Sequence, residues 1–166
     1  MPLLISFPIL AGLAIIQSIV LSNIPLLLGT VDIVLVVLLA WALQDRVQTA
    51  WQWSIIGGGF MTLLSGLPIG VYLAGYLGAT LMARYIRRRI WKLPFLGMLA
   101  ATFIGTIVVL SASWFARWLS GVYIPIGNAL LLIALPSILL NLLITVPVFF
   151  VMKDLATSLY PKEIEA

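Results

Sequence analysis

Four stretches of this chain, residues 1–31, 47–83, 93–116 and 118–152, contain no charged side chain, and a fifth, 33–44, follows a single Asp. A helix on a soluble protein keeps a polar face, because that face meets water. Uncharged runs of this length suit the hydrocarbon core of a bilayer, which takes about 20 mostly apolar residues per spanning helix. Composition points the same way. Of the 166 residues, 63% are hydrophobic and 8% charged, against about 25% charged in soluble domains. The whole chain, 1–166, is expected to form one transmembrane helical domain.

The run 47–83 is too long for one span. It contains Ser65-Gly66-Leu67-Pro68, which is turn chemistry, and divides there. The expected fold is all-α, a bundle of six transmembrane helices over residues 4–22, 26–43, 51–64, 68–85, 93–118 and 128–152. No Lys or Arg precedes Arg46, so the first helix lacks the basic start of a signal peptide and is read as retained. The connection after helix four carries Arg84, Arg87, Arg88, Arg89 and Lys92. Placing it in the cytoplasm brings Arg46, Lys153, Lys162 and both termini to the same side. Only Arg117 of the nine positive residues then lies outside, as the positive-inside rule requires. Trp51, Trp53, Tyr85 and Trp91 fall near the inner headgroups, and Trp114, Trp118 and Tyr123 near the outer ones.

With no Cys and no His, disulfides, thiolate or Ser-His nucleophiles, Cys/His zinc sites and His-bound haem are excluded. Gly57-Gly58-Gly59 is not followed by the Lys of a phosphate loop. No paired carboxylates, HExxH or GxSxG sequence occurs. The chain is read as a non-enzyme with no cofactor and no metal. The basic run from Arg84 to Lys92 reads as a topogenic anchor that attracts anionic membrane lipid, and not as a nucleic-acid platform.

Small residues at four-residue spacing let helices approach closely in a bilayer, where hydrophobicity does not drive association. They occur at Gly70, Ala74 and Gly78, at Gly75, Ala79 and Ala83, at Gly97, Ala101 and Gly105, and at Ala14, Ser18 and Ser22. Two stripes on helix four place it centrally. Gly57 to Gly59 are read as opening helix three. Ser137, Asn141 and Thr145 form a polar line along helix six, and Gln17 and Asn23 add polar groups in or near helix one. These residues either stitch helices together or line a cavity or groove. Asp32, the one acidic residue inside an apolar region, is either a first-turn carboxylate favoured by the helix dipole or a contact with a partner helix.

The stretch Gly58-Gly59-Phe60-Met61-Thr62-Leu63-Leu64-Ser65-Gly66-Leu67-Pro68-Ile69-Gly70 resembles the helix three–four turn of the MreD family, roughly Gly-Phe/Leu-x-x-Asp-Leu-x-Ser-Gly-x-x-x-Gly. Ile16-Gln17-Ser18 and Val31-Asp32 resemble two further family positions. Thr62 stands where the family has Asp, and Val31 where it has Pro. The resemblance implies a non-catalytic scaffold in the bacterial cytoplasmic (inner) membrane. It would bind an MreC-like single-span protein and, through it, support a SEDS glycosyltransferase, a class B penicillin-binding protein and MreB filaments in peptidoglycan synthesis and rod shape. The implied partner interface is Asp32, Phe60, Thr62, Ser65, Gly66, Pro68, Gly70, Ala74 and Gly78. A homo-oligomer is compatible with it. Two other readings fit six helices: the substrate-binding subunit of an energy-coupling vitamin transporter, with Asp32, Gln17, Asn128 and Asn141 around an outer cavity, and a small lipid-handling protein.

Overall fold

The computed structural model describes residues 2–19, 28–45, 47–68, 70–89 and 93–160. Among them the chain is all-helical, with six helices: α1 (Pro2–Ile19), α2 (Ile33–Ala42), α3 (Ala50–Leu64), α4 (Val71–Arg89), α5 (Pro94–Leu119) and α6 (Ile126–Leu159). The last begins with a short α-helical turn, passes through a π-helical segment, Ala129–Ala134, and continues as a regular α-helix from Leu135. Both α5 and α6 are long and apolar enough to cross a membrane.

The centre of the bundle is α2. Its sequence, IVLVVLLAWA, is apolar on every face, and Val34 to Ala42 are all buried. A helix with no polar face is stable only when surrounded, and α2 touches each of the other five. These pack in the order α1, α3, α4, α5, α6 around it. Helix α4 lies between α3 and α5, in the ring and not at the centre.

Close approach is made where glycine permits it. A Cβ on Gly58 would stand 2.9 Å from the Leu73 Cα, so α3 and α4 meet backbone to backbone there. A Cβ on Gly105 would lie 2.8 Å from Leu39 Cδ1 of α2 and 3.4 Å from Ala79 Cβ of α4. Gly57 to Gly59 lie in the second half of α3, which starts at Ala50; they do not open it.

Three boundaries differ from expectation. Helix two was expected over 26–43, yet residues 28–32 are not helical and α2 starts at Ile33. Helix four starts at Val71 and not at Pro68, because Gly70 takes φ +97°, a left-handed conformation that ends one path and begins another. Helix six extends at both ends, to Ile126 and Leu159. Trp53 and Trp51 differ in surroundings. Trp53 is fully buried and stacks on Trp41 at 4.4 Å between ring centres, while Trp51 is exposed.

Candidate functional site

The polar line of α6 faces the non-helical segment 28–32, and the two are joined like a ladder. The Leu28 N–H donates to the Leu132 carbonyl (3.1 Å), the Thr30 N–H to Ser137 Oγ (3.1 Å) and the Asp32 N–H to Asn141 Oδ1 (2.8 Å). Alternate amides of extended backbone point the same way, about 6.6 Å apart at ~3.3 Å per residue. Residues four apart on a helix recur every ~6 Å along its axis. Ser137 and Asn141 therefore match the spacing of Thr30 and Asp32.

The first rung uses a carbonyl that the helix itself frees. Pro136 has no N–H, so Leu132, four residues earlier, loses its ordinary helical donor. The π-helical widening at Ala129–Ala134 accompanies this loss. Gly29 makes the contact possible. A Cβ there would stand 2.6 Å from Pro136 Cβ and 2.7 Å from the Ser137 backbone nitrogen.

Asp32 ends the segment and caps α2. Its Oδ1 accepts from the Leu35 N–H (3.0 Å), from Gln17 Nε2 (3.1 Å) and from the Tyr76 hydroxyl (2.8 Å). Gln17 Oε1 accepts from the Val34 N–H at 3.0 Å. Two amides of the first turn of α2, which have no partner within the helix, are thus satisfied by Asp32 and Gln17. Below this hub, Asn141 Nδ2 donates to Thr106 Oγ1 (3.1 Å) and Thr145 Oγ1 to Thr102 Oγ1 (3.1 Å), joining α6 to α5. The structure brings Gln17, Asp32, Ser137, Asn141 and Thr145 into one network. Their bonds are interhelical stitches, and Asp32 is a helix cap.

A cavity of about 60 Å³ remains beside the network, lined by Thr30, Asp32, Tyr72, Thr106, Ser113 and Ser137, among others. At about 30 Å³ per water it has room for roughly two. Asn128 is exposed and is not among the residues lining it.

The residues of the helix three–four turn gather elsewhere. An open apolar groove of about 400 Å³ runs between α1, α3 and α4, lined by Phe7, Ile55, Gly59, Phe60, Leu63 and Leu73 together with Ile56 and Thr62. Phe60 meets Phe7 edge to face at 6.1 Å. Thr62 turns its hydroxyl back to the Gly58 carbonyl (2.7 Å), so it offers the groove a methyl and no free donor. Ser65 is the C-cap of α3 through its N–H, at 2.9 Å from the Met61 carbonyl. Gly66 and Pro68 are exposed, and a Cβ on Gly66 would touch nothing. Pro68 does not start α4, which begins at Val71. Gly70 serves conformation, Ala74 is exposed, and Gly78 faces Val108 of α5, with 3.6 Å left for a Cβ. The stripe 70, 74, 78 is not one contact face.

The basic run divides as well. Arg88 and Arg89 are exposed, and Arg89 lies over the Tyr85 ring at 5.8 Å. Arg87 turns inward, donating through Nη1 to the carbonyls of Gln44 (2.6 Å) and Ala42 (3.3 Å) at the end of α2. A cation at a helix C-terminus opposes the negative end of its dipole. Arg87 thus latches the end of α2. Arg84 is half-buried; Lys92, Trp91, Ser22 and Asn23 lie outside the described residues.

Gly29, Tyr76, Thr102 and Thr106 belong to the network and escaped sequence reasoning. Thr102 and Thr106 carried a usable signal, since their four-residue spacing on α5 repeats that of Asn141 and Thr145 on α6. Among the described residues, no group of three His, Cys, Asp or Glu side chains is placed to hold a metal. Compared with protein-family models, curated proteins and solved structures, the chain matches none.

Proposed function

We propose that this chain is a non-catalytic scaffold of the bacterial inner membrane, similar to MreD, which receives the spanning helix of an MreC-like protein in the groove between α1, α3 and α4. The observation that carries the reading is the groove itself. It is apolar, open, lined by side chains of the turn stretch and floored by a glycine with nothing opposite it. Small residues beneath an open groove are what helix association in lipid uses. The polar line of α6, with Gln17 and Asp32 Oδ1, is engaged in bonds that join the helices.

In this reading all six helices cross the bilayer and both termini face the cytoplasm. The ten residues of α2 reach about 15 Å, short of a hydrocarbon core of about 30 Å. The segment 28–32, at ~3.3 Å per residue, supplies the rest. Non-helical backbone is tolerated at that depth only when protein satisfies it, and the ladder to α6 does so at residues 28, 30 and 32. Through its single-span partner the scaffold would support the glycan-polymerising and cross-linking enzymes and the MreB filament. The vitamin-transporter alternative wants a ligand cavity of at least about 300 Å³, and the Asp32 cavity is about 60 Å³.

The test is co-purification of the tagged chain with an MreC-like protein from the same cell in mild detergent. Wild type is expected to give a stoichiometric complex. Gly59→Leu, whose Cβ meets nothing within 4 Å and whose side chain would occupy the groove, is expected to lose the partner while inserting normally. Full recovery of the partner with Gly59→Leu would remove the groove as the interface.

A further inference from the structure

The cavity beside Asp32 is lined by that carboxyl group on one side and by α5 on another. Its α5 wall is built from Thr106, Val109, Leu110 and Ser113. The next residue on that face, one turn on, is Arg117. Arg117 itself is exposed. A ligand entering past Arg117 toward Asp32 would lead with a cation and trail an anion.

The hydrogen-bonding capacity left in the cavity fits such a lead group. The three bonds to the Asp32 carboxylate all end on Oδ1. Among the described residues, the hydroxyls of Thr30, Tyr72 and Ser113 make no hydrogen bond, and all three line the cavity. Carboxylate Oδ2 and these hydroxyls are acceptors, and a primary ammonium has three N–H donors to place. A primary ammonium brings three N–H donors into this small cavity of about 60 Å³, whereas a trimethylammonium brings none. A carboxylate held in low dielectric is also costly without a counter-charge.

We propose that this cavity binds the ammonium of a phosphoethanolamine group whose phosphate rests on Arg117. A lipid headgroup and a free phosphoethanolamine present the same chemistry. The proposal rests on the membrane placement argued above, though not on the partner.

Native mass spectrometry of the full chain in mild detergent, titrated with phosphatidylethanolamine or phosphatidylcholine, tests it. One phosphatidylethanolamine per chain is expected, with phosphatidylcholine about tenfold weaker, which corresponds to ~1.4 kcal/mol. Ser113→Leu fills the cavity from a residue that makes no hydrogen bond among the described residues, and Arg117→Gln removes the guanidinium charge. Each is expected to erase most of the preference while helix content and melting temperature hold. Equal retention of the two lipids, or a preference untouched by both substitutions, would overturn the site. Soluble phosphoethanolamine that displaces the lipid at equal concentration assigns a free solute as the source; failure to displace it assigns the lipid. Alkaline extraction separates the two failures. A chain washed from the membrane overturns the membrane reading, whereas a chain that stays and shows no headgroup preference overturns this site alone.

Discussion

Gly29 and Gly59 are chemically the same residue placed in opposite surroundings. Gly29 lies where the segment 28–32 meets α6, and a Cβ there would run into the backbone of Pro136 and Ser137. Gly59 lies in the floor of the groove between α1, α3 and α4, and a Cβ there would meet nothing within 4 Å. One region of the molecule is closed by hydrogen bonds at fixed spacing. The other is left open on its apolar side. A small residue inside a helical bundle therefore has two meanings, a contact already made and a contact kept for something else. Only the opposite surface tells them apart.

The closed region is the more fragile. Gly29→Val should have the largest effect, because the clash is with backbone and cannot be relieved by a rotamer change. Segment and helix must separate, and the amides of residues 28, 30 and 32 lose good geometry together. A destabilisation of about 3 kcal/mol or more is expected from overpacking plus unsatisfied donors. It would be read as a loss of the folded fraction in a detergent unfolding titration. A near-native midpoint would show that the ladder is not what holds α2 in place.

Asn141→Leu should come next, at about 2 kcal/mol. It keeps the volume but strands the Asp32 N–H and removes the donor to Thr106. Individual hydrogen bonds in bilayer bundles are worth ~0.6–1.7 kcal/mol, and an orphaned buried donor costs about 1–3 kcal/mol. The double variant Asn141→Leu with Thr106→Val should cost less than the sum of the singles, since the second change removes a group the first had already abandoned. Simple additivity in that cycle would mean the two residues do not act as a pair.

Much of this contrast was legible in the sequence, though unevenly. The line Ser137, Asn141, Thr145 stands out at four-residue spacing, and the structure uses all three as stitches. What Ser137 and Asn141 hold was hidden. The run Leu26-Leu27-Leu28 reads as the start of an apolar helix, and hydropathy measures solvation without sensing backbone conformation. The local signals were Gly29 and the β-branched pair Thr30-Val31 before Asp32, which favour extended backbone and a cap over a helix interior. The π-helical segment had a similar weak signal in Pro136, whose missing N–H must leave a carbonyl to some other donor. The turn after α3 was placed correctly, yet Gly70 was read as a packing residue. Gly70 is required by its φ of +97° and Gly66 by no contact within the chain. Spacing shows that residues share a face, but not whether that face is occupied.

The smallest expected effect sharpens the comparison most. Gly59→Ala adds one methyl group to open space and should change stability by under about 0.5 kcal/mol, within the usual range for surface substitutions. It sits in the second half of a helix, where Ala is favoured over Gly by about 1 kcal/mol in intrinsic propensity, so the sign is expected to be neutral or slightly stabilising. Gly29→Ala, the same chemical change, should be clearly destabilising, because its methyl would have to displace backbone. Measured side by side in one detergent, the pair isolates surroundings from residue type. Equal effects at the two positions would mean that the groove closes over Gly59 in solution, and that the open face belongs to the chain itself and not to a partner.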